Sequence, residues 1–241
     1  MAPSNRQIIV EAPVGDGVLI HLRTLSISEW LTALRLGGDS DGGHTALRMS
    51  LLQIDGQPVT QNDLRGSGLK RHLPRTRQLV TAMRHWQGIH DVERRPHLVD
   101  QALESLKEVS AGRWTFLLPE HRQGLLDTPA RRVEMVEVDT DTVRQAVEEA
   151  SRGARSQVAR QMIAIRNQMM ASLVRIEEPV ADGEPRVHEW AQGKVSEVDL
   201  DAHISVFDLM VLAAVWARIH VADDEGLDDL GNLQAISATS S

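Results

Sequence analysis

The sequence predicts an α+β fold, mostly helical, made of two pseudo-repeated units, each a β-hairpin plus about three helices. Three observations predict it. First, Ser50-Leu51-Leu52-Gln53-Ile54-Asp55, followed by Leu79, Trp86 and Ile89-His90, is echoed by Ser172-Leu173-Val174-Arg175-Ile176-Glu177, followed by Leu209, Trp216 and Ile219-His220. In both stretches a Leu stands seven residues before a Trp, and Ile-His begins three residues after it. With five Trp in 241 residues, that shared placement points to internal repetition. Second, each echo is preceded by two short apolar segments separated by turn residues, the mark of paired strands. Third, most other apolar residues recur at spacings of three and four, the mark of helices with one buried face.

The first unit is read as residues 1–92. Ile8 to Ala12 reads as a strand, Pro13-Val14-Gly15-Asp16-Gly17 as a turn, and Val18 to Arg23 as the return strand; Asp-Gly is the strongest short hairpin cue. Ser26 or Ser28 can accept a bond from a free backbone amide and cap a helix, which carries Leu31, Leu34 and Leu36. Gly37 to Gly43 is expected to break that helix as a flexible loop. A second helix from Thr45 is expected to carry Ala46, Leu47, Leu51 and Leu52 into Ile54. Asp55-Gly56-Gln57-Pro58 turns, Val59-Thr60 pairs briefly, and Gln61 to Lys70 is polar. Pro74 suits the first turn of a helix through Leu79, Ala82, Met83 and Trp86.

A charged boundary from Asp91 to Pro96 leads into residues 93–112, read as a connecting helix from His97 to Ser110 that Gly112 can stop. The second unit is read as residues 113–223. Trp114 to Pro119 is a strand, Glu120 to Ala130 a longer loop, and Arg132 to Val138 alternates as the return strand. Asp139-Thr140-Asp141 caps a helix through Val143, Ala146 and Val147, which Ser151-Arg152-Gly153 interrupts. Gln157 to Leu173 is a helix with Val158, Met162, Ile165, Met169 and Leu173 on one stripe. Ile176 to Val180 corresponds to Ile54 to Val59, Asp182-Gly183 turns, and Val198 to Asp201 precedes a last helix from about Ser205 to Ala222. Residues 224–241 are read as a flexible acidic and polar tail.

Composition narrows the function. The net charge is −8, from 26 basic and 34 acidic residues, which argues against nucleic acid as a partner because phosphate contacts need a basic surface. There is no cysteine, so disulfides, thiolate metal sites and thiol nucleophiles are excluded. With no Tyr and two Phe, the core must be Leu, Val, Ile, Ala and Met. The N-terminus lacks the apolar stretch of a signal peptide. The longest apolar run, Leu209 to Ala217, is too short to span a bilayer.

No motif for catalysis emerges, and no catalytic, metal or cofactor residue is assigned. The glycine run lacks the Lys-Ser/Thr pair and preceding strand of a phosphate loop. His85 and His90 stand five apart, off the three- or four-residue spacing of helical zinc pairs. His188-Glu189 lacks a second His at the metalloprotease spacing. Glu134, Glu137, Asp139 and Asp141 read as a solvated strand face followed by a cap, and they lack the pattern of a calcium loop. Neither Ser50 nor Ser172 sits in Gly-x-Ser-x-Gly. An enzyme with a dispersed site would show itself as a deep pocket where His21, His44 or His203 converges with acidic residues.

Two patterns carry a family resemblance. One is a hairpin through Val18, Leu19, Leu22, Arg23, Leu25 and Ser26. The other is a segment through Leu51, Ile54, Asp55, Gly56, Pro58 and Val59, with its second version at Leu173, Val174, Ile176, Glu177, Pro179 and Val180, then Leu200 and the final helix. In these the chain resembles the tail-assembly chaperones and baseplate hub assembly proteins of tailed phages and related contractile injection systems. It departs from their usual pattern in having two copies and in Glu177-Glu178 where Asp55-Gly56 has its counterpart. The resemblance implies a non-enzymatic structural or assembly protein that binds other phage tail or baseplate proteins, in the virion or in the host cytoplasm during assembly. It implies no catalytic residue and no cofactor. The alternative from a different class is an intracellular scaffolding or regulatory interaction domain unrelated to phage.

One helix suggests where a partner binds. From Val206 to Ile219 the chain is apolar almost all round, so this helix is central in the core or covered by a partner. Leu209, Leu212, Trp216 and Ile219 form one stripe, matching Leu79, Ala82, Trp86 and Ile89, and are assigned to the core of the unit. Phe207, Met210, Val211 and Val215 are assigned to partner binding, because Val80, Thr81 and His85 stand on the corresponding second face of the first copy. That face is expected to pack on the first copy or on another subunit, including a second copy of this chain.

Overall fold

Asp16 and Gly17 both take left-handed backbone angles, with φ of 57° and 78°, as a two-residue turn between antiparallel strands requires. They join β1 (Ile9–Gly15) to β2 (Val18–Arg23). The chain is described from a computed structural model over residues 9–90, 96–123, 126–154, 157–181 and 183–220. The expected tail at 224–241 and most of the charged boundary before Pro96 lie outside these residues. Ala12, Val14, Ile20 and Leu22 alternate inward and are buried.

The hairpin delivers the chain into α1 (Ile27–Ser50) through a reciprocal cap. Ser26 Oγ accepts the Glu29 amide at 3.2 Å, and Glu29 Oε2 accepts the Ser26 amide at 3.0 Å. Arg23 grips the Glu29 carboxylate with two bonds of 2.7 Å. Burial opposes ionisation of Glu29, but the Arg23 and Ser26 bonds and the Arg23 charge hold its pKa below the ordinary value.

The glycine run turns α1 instead of ending it. A Cβ built on Gly42 lies 3.5 Å from the Leu34 Cα, whereas eight residues of straight helix span about 12 Å. The axis therefore folds back between them. Only glycine permits this, since a Cβ on Gly37 would stand 2.5 Å from the Gly42 nitrogen.

The returning arm ends at Ser50, one residue before the stretch expected to continue it. Leu51 and Leu52 belong to β3 (Leu51–Ile54), which pairs antiparallel with β2, Ile20 facing Ile54 and Leu22 facing Leu51. The open edge of β2 outcompetes another helical turn, because it takes the backbone bonds and buries Leu51 and Ile54 together. After a turn at Asp55 and Gly56, β4 (Gln57–Pro58) completes a sheet of order β1-β2-β3-β4. A short helix, α2 (Gly68–His72), which the polar segment did not announce, leads to α3 (Thr76–His90). Trp86 of α3 is buried and donates its indole N–H to Ser50 Oγ at 3.0 Å.

The single connecting helix expected from His97 to Ser110 divides in two. α4 (Pro96–Glu104) stops, and β5 (Lys107–Ser110) joins a sheet edge. Ser105 causes the switch: its hydroxyl donates to the Ala102 carbonyl at 2.8 Å and accepts the Leu117 amide at 2.8 Å. Then come β6 (Arg113–Leu118), β7 (His121–Gln123), β8 (Leu126–Thr128) and β9 (Arg131–Val136). β7 and β8 pair as a small hairpin inside the expected loop. Asp139 caps α5 (Thr140–Gly153) by accepting the Thr142 amide at 2.8 Å. α6 (Gln157–Ser172) runs straight into β10 (Leu173–Glu178), which pairs with β9 and with β11 (Arg186–Glu189). α7 (Glu197–His203) and α8 (Val206–His220) close the described chain. The second sheet has the order β11-β10-β9-β6-β5.

The fold is thus α+β, with antiparallel sheets of four and five strands and about half the chain helical. Two apolar cores fill it. The smaller lies under the first sheet; the larger joins the second sheet to α4, α6, α7 and α8. α1 serves both: Ile27, Leu31 and Leu34 point into the larger core, while Ala33, Ala46 and Leu47 point into the smaller. Among the described residues no single helix is long and apolar enough to cross a membrane, and α7 meets α8 at 106°.

Leu31 is fully buried at this junction. Leu31→Ala is expected to lower the unfolding free energy by about 2–5 kcal/mol, the range for a large-to-small core change, measured by denaturant titration.

Candidate functional site

Three side chains far apart in sequence meet where β10, β11 and α7 come together. Register across the ladder sets Ile176 opposite His188 and Glu178 opposite Arg186. Beside them α7 starts at a reciprocal cap, with Ser196 Oγ accepting the Asp199 amide at 3.1 Å and Asp199 accepting the Ser196 amide at 3.0 Å. It ends seven residues after that cap at His203. The His203 ring lies on the His188 ring, with centroids 3.9 Å apart and planes tilted by 40°. His203 Nδ1 stands 3.5 Å from Glu178 Oε1. One donor atom from each of Glu178, His188 and His203 lies within 4.8 Å of the other two, and all three residues are partly buried.

Trp190 closes one side, its ring 5.7 Å from His203 and 6.2 Å from His188. Asp199 accepts a bond from Trp190. The Asp199 carboxyl is held below the ordinary pKa chiefly by its bonds from Ser196 and also by the charge of His203. It therefore adds negative charge beside the cluster at neutral pH.

A buried ion pair fixes the cluster from behind. Arg131 and Asp208 are 1% and 2% exposed. Arg131 Nη2 is 2.6 Å from Asp208 Oδ1, and Arg131 Nη1 donates to the His203 carbonyl at 2.6 Å. Asp208 Oδ2 also accepts the amide and hydroxyl of Ser205, at 2.9 and 2.7 Å, capping α8. Burial pushes the Asp208 pKa up, but the charges of Arg131 and His121 and the bonds from Arg131 and Ser205 bring it below the ordinary value. His121 stands 4.0 Å from Asp208 Oδ1 and packs on Phe207 at 4.5 Å between ring centroids.

The residues assigned to partner binding sit elsewhere than expected. Phe207, Val211 and Val215 are 2%, 1% and 0% exposed and belong to the larger core; only Met210 is partly exposed. α8 packs against α4, α6 and β6 of the same chain, so its second face is covered without another subunit. The polar second face of α3 was a poor guide, because α3 lies over β1 at the margin of the smaller core. His220 pins the far end of α8: it accepts the Val138 amide at 3.1 Å and donates to the Trp216 carbonyl at 2.9 Å. Those two bonds require neutral imidazole, and burial lowers its pKa accordingly.

Other candidates have local roles. His21 pairs with Glu11 at 2.9 Å on the first sheet, and His85 contacts the Pro13 carbonyl at 3.0 Å. Neither His21 nor His44 joins the cluster around His203. Glu134 pairs with Arg113 at 2.8 Å, and Asp139 is a cap. Arg113, Glu134, Arg132, Glu177 and Arg175 line an open cleft of about 680 Å³ across the second sheet. Arg132 and Arg175 stand 3.7 and 2.6 Å from Glu177.

The sequence marks His203 as a histidine that acidic residues could converge on, but offers His188 only Glu189 as a neighbour. The pairing of β10 with β11 that unites His188 with Glu178 involves a strand too short and exposed to show an apolar pattern. No protein-family model, curated protein or solved structure matches this chain.

Val211→Glu with Val215→Glu is expected to melt at least as far below the parent as Trp216→Ala, which should lose about 3–5 kcal/mol; thermal melts compare them directly. Asp208→Asn strands the Arg131 charge and is expected to cost about 3–5 kcal/mol. Because the folded pKa of Asp208 is depressed, its contribution is present above the unfolded carboxylate value and lost as pH falls through the folded one. The variant should therefore show a shallower loss of stability in acid, read from melts across a pH series.

Proposed function

We propose that this chain is a non-enzymatic phage-type tail or baseplate assembly protein, built of two pseudo-repeated units and acting by binding other proteins of the particle. One observation supports the two-unit part of this reading: both sheets use one connectivity. In the first, a hairpin, a helical arm ending in buried Ser50, a third strand beside the second, and a fourth strand follow in order. In the second, β6, β9, β10 and β11 follow the same order, and buried Ser172 ends the helix before β10. A short helix and a last helix with a buried Trp complete each half, at Trp86 and Trp216. β5 and the β7–β8 hairpin are additions to the second half. Ser172 also departs from Ser50, since its hydroxyl donates to the Gln168 carbonyl at 3.0 Å.

The tail-assembly part of the proposal rests on the resemblance in the hairpin and in the Ile54-to-Val59 segment, from whose usual pattern a second copy is a departure. Since α8 is sealed inside the chain, binding falls to the outer surfaces. The charged face of the second sheet is the favoured one: its alternating Arg and Glu suit a partner of complementary charge pattern, which sets specificity and orientation.

A tagged chain expressed beside its neighbouring genes is expected to co-purify with tail or baseplate proteins. Deleting its gene is expected to stop tail assembly, seen by electron microscopy. Normal tails after deletion would overturn the proposal. Mass spectrometry of finished particles distinguishes a structural part from a chaperone that departs.

A further inference from the structure

We propose that Glu178, His188 and His203 bind a divalent transition-metal ion, zinc being the best fit. The donor set is two imidazole nitrogens and one carboxylate oxygen, which suits zinc in a chain with no thiolate to offer. The spacing suits it too. Ligands about 2.0–2.2 Å from a tetrahedral zinc lie roughly 3.3–3.6 Å from one another. His203 Nδ1 and Glu178 Oε1 already stand 3.5 Å apart. The donor of His188 lies within 4.8 Å of both, a gap that side-chain rotation closes.

The His188 and His203 rings also pack on one another, 3.9 Å between centroids, which brings the second imidazole beside the Glu178–His203 pair. The surroundings favour a cation. Asp199, ionised and next to His203, adds negative charge, and the charge of Arg131 is answered by Asp208. Arg131 holds the His203 backbone at 2.6 Å, and Trp190, bonded to Asp199, screens one side from water. Three protein donors leave a fourth position for water. The ion would tie β10 and β11 to the end of α7, at the corner where α8 begins.

The test uses the full chain, stripped with chelator and titrated with Zn²⁺ by calorimetry, with melting temperature recorded with and without the ion. The parent is expected to take up one Zn²⁺ with micromolar or tighter affinity and to melt higher with it. His188→Ala, on an exposed edge strand, and the isosteric Glu178→Gln should each weaken uptake at least tenfold and abolish the rise in melting temperature. Their metal-free melts should stay close to the parent's, showing that both are folded. His21→Ala, outside the cluster, should behave as the parent. No stoichiometric uptake by the parent, or uptake unchanged in both folded variants, overturns the site.

Discussion

The pairing of Arg131 with Asp208 is the constraint on which the second half of the molecule depends. Two charges this deeply buried are tolerable only when each neutralises the other. Here the requirement organises three elements at once. Asp208 caps α8 through Ser205, Arg131 answers its charge from β9, and the same guanidinium takes the carbonyl of His203 at the end of α7. The 106° corner between α7 and α8 is thereby fixed from inside. Its apolar consequence is α8, buried on nearly every side. Its polar consequence is the placement of His203 against Glu178 and His188.

The first half is joined to this by α1. A helix that folds back at its glycines presents one row of side chains to each core, so the two sheets share a wall. Ser28 adds a polar tie, its amide donating to Asp201 of α7 at 3.1 Å. The stapled corner and the shared helix make the apolar interior largely the chain's own business. The paired charges of the second sheet lie on the outside.

Local chemistry was legible in the sequence where one short-range rule dominates. Ser26 and Asp139 cap helices as their side chains dictate, and Asp16-Gly17 closes the hairpin. The paired strands around Val18 and Val133 followed from turns and alternation. Elsewhere a distant element decides the outcome. Leu51 and Leu52 keep a helical spacing, but the open edge of β2 claims them. Glycines 37 to 43 look like a break, yet backbone contact between the two arms lets the helix fold back on itself. β5 and β11 are exposed edge strands without an apolar signature. The near-uniform apolarity of α8 was visible, but what covers Val211 and Val215 depends on how α4 and α6 are placed. The Glu178, His188 and His203 cluster is legible only after strand pairing is known.

Native-state hydrogen exchange on the isolated chain tests most directly whether α8 is sealed in by its own molecule. The account predicts that amides from about Leu209 to Ala217 exchange only through global unfolding, with protection equal to the stability measured by denaturant and independent of protein concentration. Fast local exchange in this helix, or protection that appears only as the concentration rises, would contradict it and return α8 to the role of a partner surface.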